Sequence, residues 1–205
     1  MTTATRVPPT YWDCNRLWVD SWLRARAQER LEARALLRLG GRLDGGAALE
    51  LGPGRRGTGL LLATRVFGAA TAHGVELHTA SVGACRARVG DRATVEQGDA
   101  TRSAAADGSY DAVFCYHLLH HADDWRAAVA EAARVLRPGG RLYVAEMTAR
   151  FVDSAALRAV AHHPRDGDRP TPDGIAAACT AHGLEVLGQD TRYLGWWTAL
   201  VAVRR

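Results

Sequence analysis

The stretch from Ala47 to Glu76 constrains the fold of this 205-residue chain more than any other. A short apolar run ends at Leu51, and the glycine string Gly52-Pro53-Gly54-Arg55-Arg56-Gly57 follows at once. A segment of helical length comes next, and a second short strand ends on the acid Glu76, ~20 residues beyond the glycines. Glycines let the backbone turn sharply and let a ligand approach the main chain, and a carboxylate at a strand end can accept hydrogen bonds from both hydroxyls of a ribose. The stretch therefore predicts a strand–turn–helix–strand unit that binds the adenosine part of a cofactor.

Strand and helix patterns alternate along the rest of the chain. Further helices are predicted at residues 79–88, 124–136, 153–161 and 174–182, and further strands at residues 93–96, 110–115 and 141–147. Residues 184–193 and 197–203 are joined by a short turn, so we expect a hairpin whose last strand runs antiparallel to the others. The pattern predicts an α/β fold with a Rossmann-like, seven-stranded, mostly parallel sheet, an antiparallel last strand and helices on both faces.

The N-terminal segment is predicted to be helical over residues 12–39. Its periodic residues are the aromatic set Tyr11, Trp18 and Trp22 and, at every fourth position, Leu23, Ala27, Leu31 and Ala35. The aromatic stripe has two interpretations: it packs an extra helix on the core, or it faces a bound ligand as part of a lid. We expect residues 1–45 to form an N-terminal helical lid or extension and residues 46–205 to form the cofactor-binding domain.

The composition excludes several classes of protein. All 26 basic residues are arginine, so the chain cannot supply a P-loop lysine, a pyridoxal Schiff base or the lysine of a reductase dyad. The net charge of +4 is spread along the chain without a basic run, which argues against nucleic acid as a partner. The four cysteines are far apart, and no stretch has the apolar length of a signal peptide or a membrane span. We therefore expect a cytoplasmic protein without a membrane partner; its oligomeric state is not predicted.

The glycine string fits the pattern G-x-G-x-x-G, so a nicotinamide-dependent oxidoreductase is one interpretation. Three features count against it. A terminal hairpin is not the usual end of a dinucleotide-binding domain, 205 residues leave little room for a substrate half, and the reductase lysine is missing.

Several strings of the chain occur in the order found in one family. They are Glu50-Leu51-Gly52-Pro53-Gly54, Gly74-Val75-Glu76, Gly98-Asp99-Ala100, Tyr110-Asp111-Ala112-Val113, Leu118-Leu119-His120-His121 and residues 133–142, ARVLRPGGRL. With them, residues 47–205 resemble the class I S-adenosylmethionine-dependent methyltransferases, in particular the small-molecule group related to quinone-biosynthesis methyltransferases. The glycine loop departs from the family pattern, because Arg55-Arg56 make it about one residue longer.

The resemblance implies S-adenosyl-L-methionine as the cofactor and assigns a role to eight positions. Gly52 and Gly54 would approach the methionyl part of the cofactor, with Glu50 fixing the loop or the amino group. Glu76 would hold the ribose diol beside Leu77. The remaining cofactor-binding positions are Asp99 and Ala100 on the adenine side and the backbone of Cys115.

Methyl transfer depends mainly on in-line approach of the acceptor, so proximity can supply much of the acceleration. A base helps when the acceptor is a hydroxyl or an activated carbon, and His117, just beyond the fourth strand, is the candidate. His117 could also merely line the pocket. The candidate acceptor-binding residues are Tyr11, Trp18, Tyr116 and Trp196. His117, His120 and His121 have a spacing that invites a metal, but no carboxylate motif accompanies them and no metal is expected.

Three hypotheses remain at this point. The first is a methyltransferase acting on a small molecule, favoured because the DPPY-like tetrapeptide of nucleic-acid methyltransferases is absent after the fourth strand. The second is the NAD-dependent oxidoreductase. The third is a protein that binds S-adenosylmethionine without transferring its methyl group.

Overall fold

The computed structural model describes residues 21–154 and 168–205. Its strands are β1 (Ala47–Leu51), β2 (Thr71–Glu76), β3 (Thr94–Gln97), β4 (Tyr110–Tyr116), β5 (Leu136–Met147), β6 (Leu184–Arg192) and β7 (Trp197–Arg204). Its α-helices are α1 (Trp22–Ala27), α2 (Ala33–Gly40), α3 (Thr58–Arg65), α4 (Thr79–Val89), α5 (Trp125–Val135), α6 (Ala149–Val152) and α7 (Pro172–Ala181). A π-helical segment, Gln28–Glu32, joins α1 to α2, and 3₁₀ turns occur at Gly90–Arg92 and Leu119–His121.

The strands form one sheet in the order β3-β2-β1-β4-β5-β7-β6. Strands β1 to β5 pair in parallel, whereas β7 runs antiparallel to both β5 and β6. The predicted sheet and its antiparallel last strand are therefore confirmed. Because Met147 at the end of β5 pairs with Trp197 at the start of β7, the β6–β7 turn lies at the carboxyl edge of the parallel strands. Ligands of open α/β sheets bind at this edge.

Helices cover both faces of the sheet, as the sequence predicts. On β4, Phe114 packs into the core beneath α2, α3 and α4, whereas its neighbours Val113 and Cys115 pack beneath α5 and α7. All three side chains are at most 1% exposed. Such two-sided burial explains why the central strands read as continuous apolar runs.

The N-terminal helix buries a different face from the one that the sequence predicts. Leu23 and Leu31, expected on the buried stripe, are 53% and 50% exposed, whereas Gln28 and Glu32 are each 7% exposed. The π-helical segment is the reason, because its wider turn inserts one residue and rotates the rest of the helix relative to α1. Ala35 lies in the core as predicted.

Some element boundaries also differ from the prediction. Strand β5 begins at Leu136 rather than at residue 141, because the Pro-Gly-Gly string continues the strand through a register shift opposite Tyr110 and Ala112. Helix α6 ends at Val152, where a helix was predicted to begin, and residues 155–161 of that prediction lie outside the described residues. In the described ranges, no helix has the length and apolar character needed to cross a bilayer.

Candidate active site

The glycine loop joins β1 to α3 at the carboxyl edge of the sheet. Gly52 and Gly54 have φ values of 68° and 61°, in the left-handed region that favours glycine. A Cβ at position 52 would lie 2.7 Å from Leu118 Cδ1, so the loop is tightly packed there. A Cβ at position 54 would meet no atom within 4 Å, so a ligand has room to approach the backbone of Gly54.

Glu76, the last residue of β2, holds the loop from the side. Its Oε2 accepts a hydrogen bond from the Gly54 amide at 3.0 Å, and its Oε1 accepts one from the His78 amide at 3.0 Å. The residue is 7% exposed, whereas its neighbour Leu77 is 57% exposed. The glycine loop and the acid at the end of β2 are thus in direct contact, and the apolar side chain of Leu77 beside them is open to solvent.

Asp99 lies in the loop after β3. Its Oδ1 accepts hydrogen bonds from the amide of Thr101 at 2.8 Å and from the Thr101 hydroxyl at 2.7 Å. The hydrogen bond from the amide has the larger effect and that from the hydroxyl the next, and together they lower the pKa of Asp99 below its ordinary value. The carboxylate is exposed and charged at neutral pH, and Ala100 beside it is half-buried.

Glu50 lies inside the site, under the first turn of α3. It is 2% exposed, and a Cβ at position 59 would come within 2.1 Å of its Oε1, so only glycine fits at Gly59. Burial raises the pKa of Glu50 to about 8; the Leu60 amide, which donates to the carboxyl, opposes the rise, and the nearby charge of Glu76 adds to it. Within the described part of the chain its Oε2 is buried without a hydrogen-bond partner. A cationic group beside this buried carboxyl would stabilise its ionised form.

Two more buried polar atoms lie at the same edge of the sheet without a partner among the described residues: the Tyr116 hydroxyl and the Trp197 indole nitrogen. Tyr116 ends β4 and is 6% exposed. Burial raises the pKa of Tyr116 well above its ordinary value, and the charges of Glu32 and then Glu50 raise it further. Tyr116 is therefore a neutral phenol that both acids influence. Its neighbour Cys115 is 1% exposed, in register with Leu51 and Val144, and burial raises the pKa of its thiol.

His117 follows β4 with a φ of 52°, which is uncommon for a residue other than glycine. Its amide donates to Ala145 O at 2.8 Å, which ties the turn to β5. Its ring nitrogen Nε2 lies 3.1 Å from Oε1 of Glu32, and Glu32 in turn lies 2.9 Å from Nη1 of Arg24. The candidate base is therefore paired with a carboxylate from the N-terminal helix.

A second histidine–carboxylate pair supports the same turn. Glu146, fully buried at the end of β5, accepts from the amides of Leu119 at 2.6 Å and Met147 at 2.7 Å and contacts Nδ1 of His120. Burial alone would raise the pKa of Glu146, but the charge and hydrogen bond of His120 lower it below its ordinary value. In residues 21–154 and 168–205, no group of three His, Cys, Asp or Glu side chains is placed to hold a metal ion.

The β6–β7 turn forms an apolar rim beside this site. Tyr193 and Leu194 have φ values of 55° and 57°, and their side chains are 59% and 80% exposed. Trp196 is 40% exposed, and its ring centroid lies 5.4 Å from that of Phe151. Of the acceptor-binding candidates, the structure thus places Tyr116 inside the site and Trp196 on its rim. Tyr11 and Trp18 lie outside the described residues.

Comparison with known proteins was consistent with this geometry. Residues 49–144 match the methyltransferase domain family. The chain is 33% identical over 135 residues to the 27-O-demethylrifamycin SV methyltransferase of Amycolatopsis mediterranei (strain S699), covering 64% of this chain and 47% of that enzyme. It is 38% identical over 111 residues to the demethylmenaquinone methyltransferase of Mycolicibacterium paratuberculosis (strain ATCC BAA-968 / K-10), covering 50% of this chain and 46% of that enzyme.

Residues 49–144 belong to the methyltransferase domain family, and the sheet order around them is that of the class I S-adenosylmethionine-dependent methyltransferases. The same fold occurs in a chain of the complex between the Haloferax volcanii Trm112 methyltransferase activator and its methyltransferase partner. That similarity has a TM-score of 0.71 at 19% identity and covers 98% of this chain and 99% of that one. The chain spans about half the length of the curated relatives it matches.

The cofactor of this methyltransferase family is S-adenosylmethionine, and the residues present fit it. Open space over Gly54 admits a ligand to the loop, and the unpartnered carboxylate oxygen of Glu50 suits a cofactor that carries a cationic amino group.

Sequence reasoning did not find Glu32, Arg24 or Glu146. The first two lie on a helix whose π-helical segment changes the buried face, and Glu32 meets a partner 85 residues away in the chain. Glu146 had a signal that could have been used: it is a lone acid near the end of an otherwise apolar strand.

Proposed function

We propose that this methyltransferase moves a methyl group from S-adenosylmethionine to a small-molecule acceptor. One observation carries the proposal: Glu50 Oε2, the Tyr116 hydroxyl and the Trp197 indole are all buried and unpartnered, within the described residues, at the carboxyl edge of the sheet. Buried polar atoms in folded proteins are nearly always hydrogen-bonded, so three at one edge indicate a site built for a polar ligand.

The cofactor-binding residues follow from the contacts of the loop. Gly52 and Gly54 would lie against the methionyl part, with the carboxylate of Glu50 near its amino group. Glu76 would accept from the ribose hydroxyls, Leu77 would cover the base, and Asp99 and Ala100 would flank its amino group. The backbone at Cys115 would contact the cofactor at the end of β4. When bound, the cofactor supplies a methyl group activated by the positive charge of a sulfonium.

The acceptor would lie between the end of β4 and the β6–β7 turn. Tyr116 and His117 would contact it from the end of β4, and Trp196 would contact it from the β6–β7 turn. Tyr11 and Trp18 would complete the pocket if the N-terminal segment acts as a lid. An acceptor with an aromatic or polyketide-like framework suits the apolar rim around Trp196, and the named substrates of the two relatives are small molecules. Transfer would depend mainly on holding the acceptor in line, with His117 taking the proton of an acidic acceptor. The absence of a nucleic-acid or membrane partner and a cytoplasmic location stay predictions.

The oxidoreductase hypothesis shares the glycine loop, so the test compares ligands. Isothermal titration calorimetry with S-adenosylhomocysteine and with NAD⁺ should give binding of the thioether only. Tight binding of NAD⁺ without the thioether would refute the proposal.

Two glycine variants test the loop itself. Gly54 and Gly90 both have a left-handed φ, of 61° and 55°, and a Cβ at either position would meet no atom within 4 Å. At Gly90 the backbone strain of an alanine is large, because its ψ of −140° lies outside the αL region that other residues can adopt, so Gly90→Ala is a demanding control for strain alone. We expect Gly54→Ala to weaken S-adenosylhomocysteine binding at least about tenfold, the equivalent of ~1.4 kcal/mol, and Gly90→Ala, at the end of α4, to leave it unchanged. Equal affinities of the two variants would contradict the assignment.

The third hypothesis, cofactor binding without transfer, is tested separately. Purified protein is incubated with isotopically labelled S-adenosylmethionine and a panel of phenols, quinols and polyketides, and products are detected by mass spectrometry. A methylated product supports the proposed function. Tight cofactor binding without any product across the panel would favour the third hypothesis.

A further inference from the structure

The N-terminal helix brings a charged side chain to the candidate base. The π-helical segment Gln28–Glu32 turns the side chain of Glu32 towards the sheet, whereas the preceding residue, Leu31, is half exposed. Single π-helical turns inside α-helices occur frequently at functional sites. Here the turn has a specific result: it places a carboxylate over the carboxyl end of β4.

Glu32 is ionised in this position. Burial alone would raise the pKa of its carboxyl, but His117 and then Arg24 lower it below the ordinary value. The contacts are 3.1 Å from Oε1 to Nε2 of His117 and 2.9 Å from Oε1 to Nη1 of Arg24. Three other titratable groups lie near this pair: the phenol of Tyr116, the buried carboxylate of Glu146, and the ring of His120, whose centroid lies 6.3 Å from that of His117.

An ionised carboxylate only accepts hydrogen bonds, so Nε2 of His117 must be the donor. The neutral ring then carries its hydrogen on Nε2 and its lone pair on Nδ1. Among the described residues no side chain or backbone group forms a hydrogen bond with Nδ1. The left-handed backbone of His117, and the hydrogen bond that its amide donates to Ala145 O, hold the ring where Glu32 can reach it.

We propose that Glu32 is a positioning residue, which holds the His117 ring with Nε2–H on the carboxylate and leaves Nδ1 to receive the proton of the acceptor. The inference rests on the proposed function and deepens it. The acceptor's O–H bond breaks and its proton goes to Nδ1, while the acceptor oxygen forms the bond to the methyl carbon. The C–S bond breaks with its electron pair on sulfur. The imidazolium is neutralised by Glu32 and then returns the proton to water. The acceptor class is therefore a phenol, enol or similar group whose attacking atom carries an acidic proton.

The first test measures the ring itself and needs no acceptor. Two-dimensional ¹H–¹⁵N spectra of the full chain, labelled at histidine and saturated with S-adenosylhomocysteine, report which ring nitrogen of His117 carries the hydrogen. We expect the Nε2–H form in the wild type and in Glu29→Gln, which removes an exposed acid from the same π-helical segment. In Glu32→Ala we expect a mixture of the two tautomers. An Nδ1–H form in the wild type, or an unchanged tautomer in Glu32→Ala, would overturn the inference.

The second test measures turnover on the acceptor that the methylation panel identifies. We expect Glu32→Gln to lower kcat about 10- to 100-fold, part of the 10²–10⁴-fold that a positioned base contributes, with KM for S-adenosylmethionine changed less than about threefold. Because Gln cannot neutralise the imidazolium, the acid limb of the pH profile should move to lower pH, which a purely structural role would not cause.

A double-mutant comparison separates positioning from folding. Adding Glu32→Gln to His117→Ala should lower kcat no further than His117→Ala alone, because Glu32 acts through the ring. Additive losses would mean that Glu32 only holds the helix in place and would overturn the inference. If the wild type methylates nothing, the proposed function fails, while the tautomer still decides the role of Glu32.

Discussion

Glu50 should make the folded protein less stable as the pH rises. In the unfolded chain its carboxyl has the ordinary pKa of 4.5, whereas burial raises the pKa to about 8 in the fold. Below pH 4.5 the group is protonated in both states and has no pH-dependent effect on stability. Between the two values the folded chain retains a proton that the unfolded chain has released. The free energy of unfolding therefore falls by up to about 1.4 kcal/mol per pH unit, or about 5 kcal/mol over the whole interval.

The substitution Glu50→Gln isolates this effect, because Gln has nearly the same shape, can still accept from the Leu60 amide and does not titrate. Urea unfolding followed by tryptophan fluorescence, without cofactor, should be measured for both proteins at pH 5.5 and pH 8. We expect the variant to gain stability relative to the wild type by about 2–4 kcal/mol between these pH values, since they span most of the titration. Subtracting the two proteins removes the contribution of the histidines and other groups.

Parallel stability curves from pH 5.5 to pH 8 would refute the reasoning, because Glu50 would then be ionised in the fold as it is in the unfolded chain. A cationic cofactor adds a second measurement. S-adenosylhomocysteine should release a proton from Glu50 on binding at pH 6.5, seen in calorimetry as a heat that depends on the buffer, and the Gln variant should lose that component.

Two further substitutions separate cofactor binding from stability. Asp99→Ala should weaken S-adenosylhomocysteine binding by about 1–3 kcal/mol in calorimetry, because it removes an ionised hydrogen-bond acceptor. The exposed control Asp91→Ala should bind normally. Unchanged affinity for Asp99→Ala would mean that this loop does not contact the adenine. Glu131→Ala should lower the free energy of unfolding by about 1–3 kcal/mol with little effect on cofactor affinity. Its carboxylate accepts from the Ser103 amide at 2.7 Å and from the Arg134 guanidinium at 2.7 Å, away from the glycine loop, and a variant as stable as the wild type would contradict this.

The sheet was predictable from the sequence because its signals are local. Central strands buried on both faces read as apolar runs, and a short turn between two strands requires a hairpin. The sequence predicted that the glycine loop and Glu76 belong to one strand–turn–helix–strand unit, but it gave Glu76 only a ribose as partner. The hydrogen bond from the Gly54 amide to Glu76 is a finding of the structure. The order of the family's strings then indicated S-adenosylmethionine rather than NAD⁺.

The sequence by itself thus determined the sheet and the glycine loop, and it predicted which acids would contact a cofactor. Only the tertiary structure decided what surrounds His117, since Glu32 is 85 residues away and reaches the ring through one π-helical turn. The helical pattern with a period of four predicts that Leu31 is buried. In the structure the residue inserted by the π-helical turn leaves Leu31 exposed and turns Glu32 inwards. The ionisation of Glu50 was likewise decided by packing, because a carboxyl in a sequence has an ordinary pKa until Gly59, Tyr116 and Glu76 close around it. Periodicity describes contacts within one element, whereas burial and charge pairing depend on which distant elements the fold brings together.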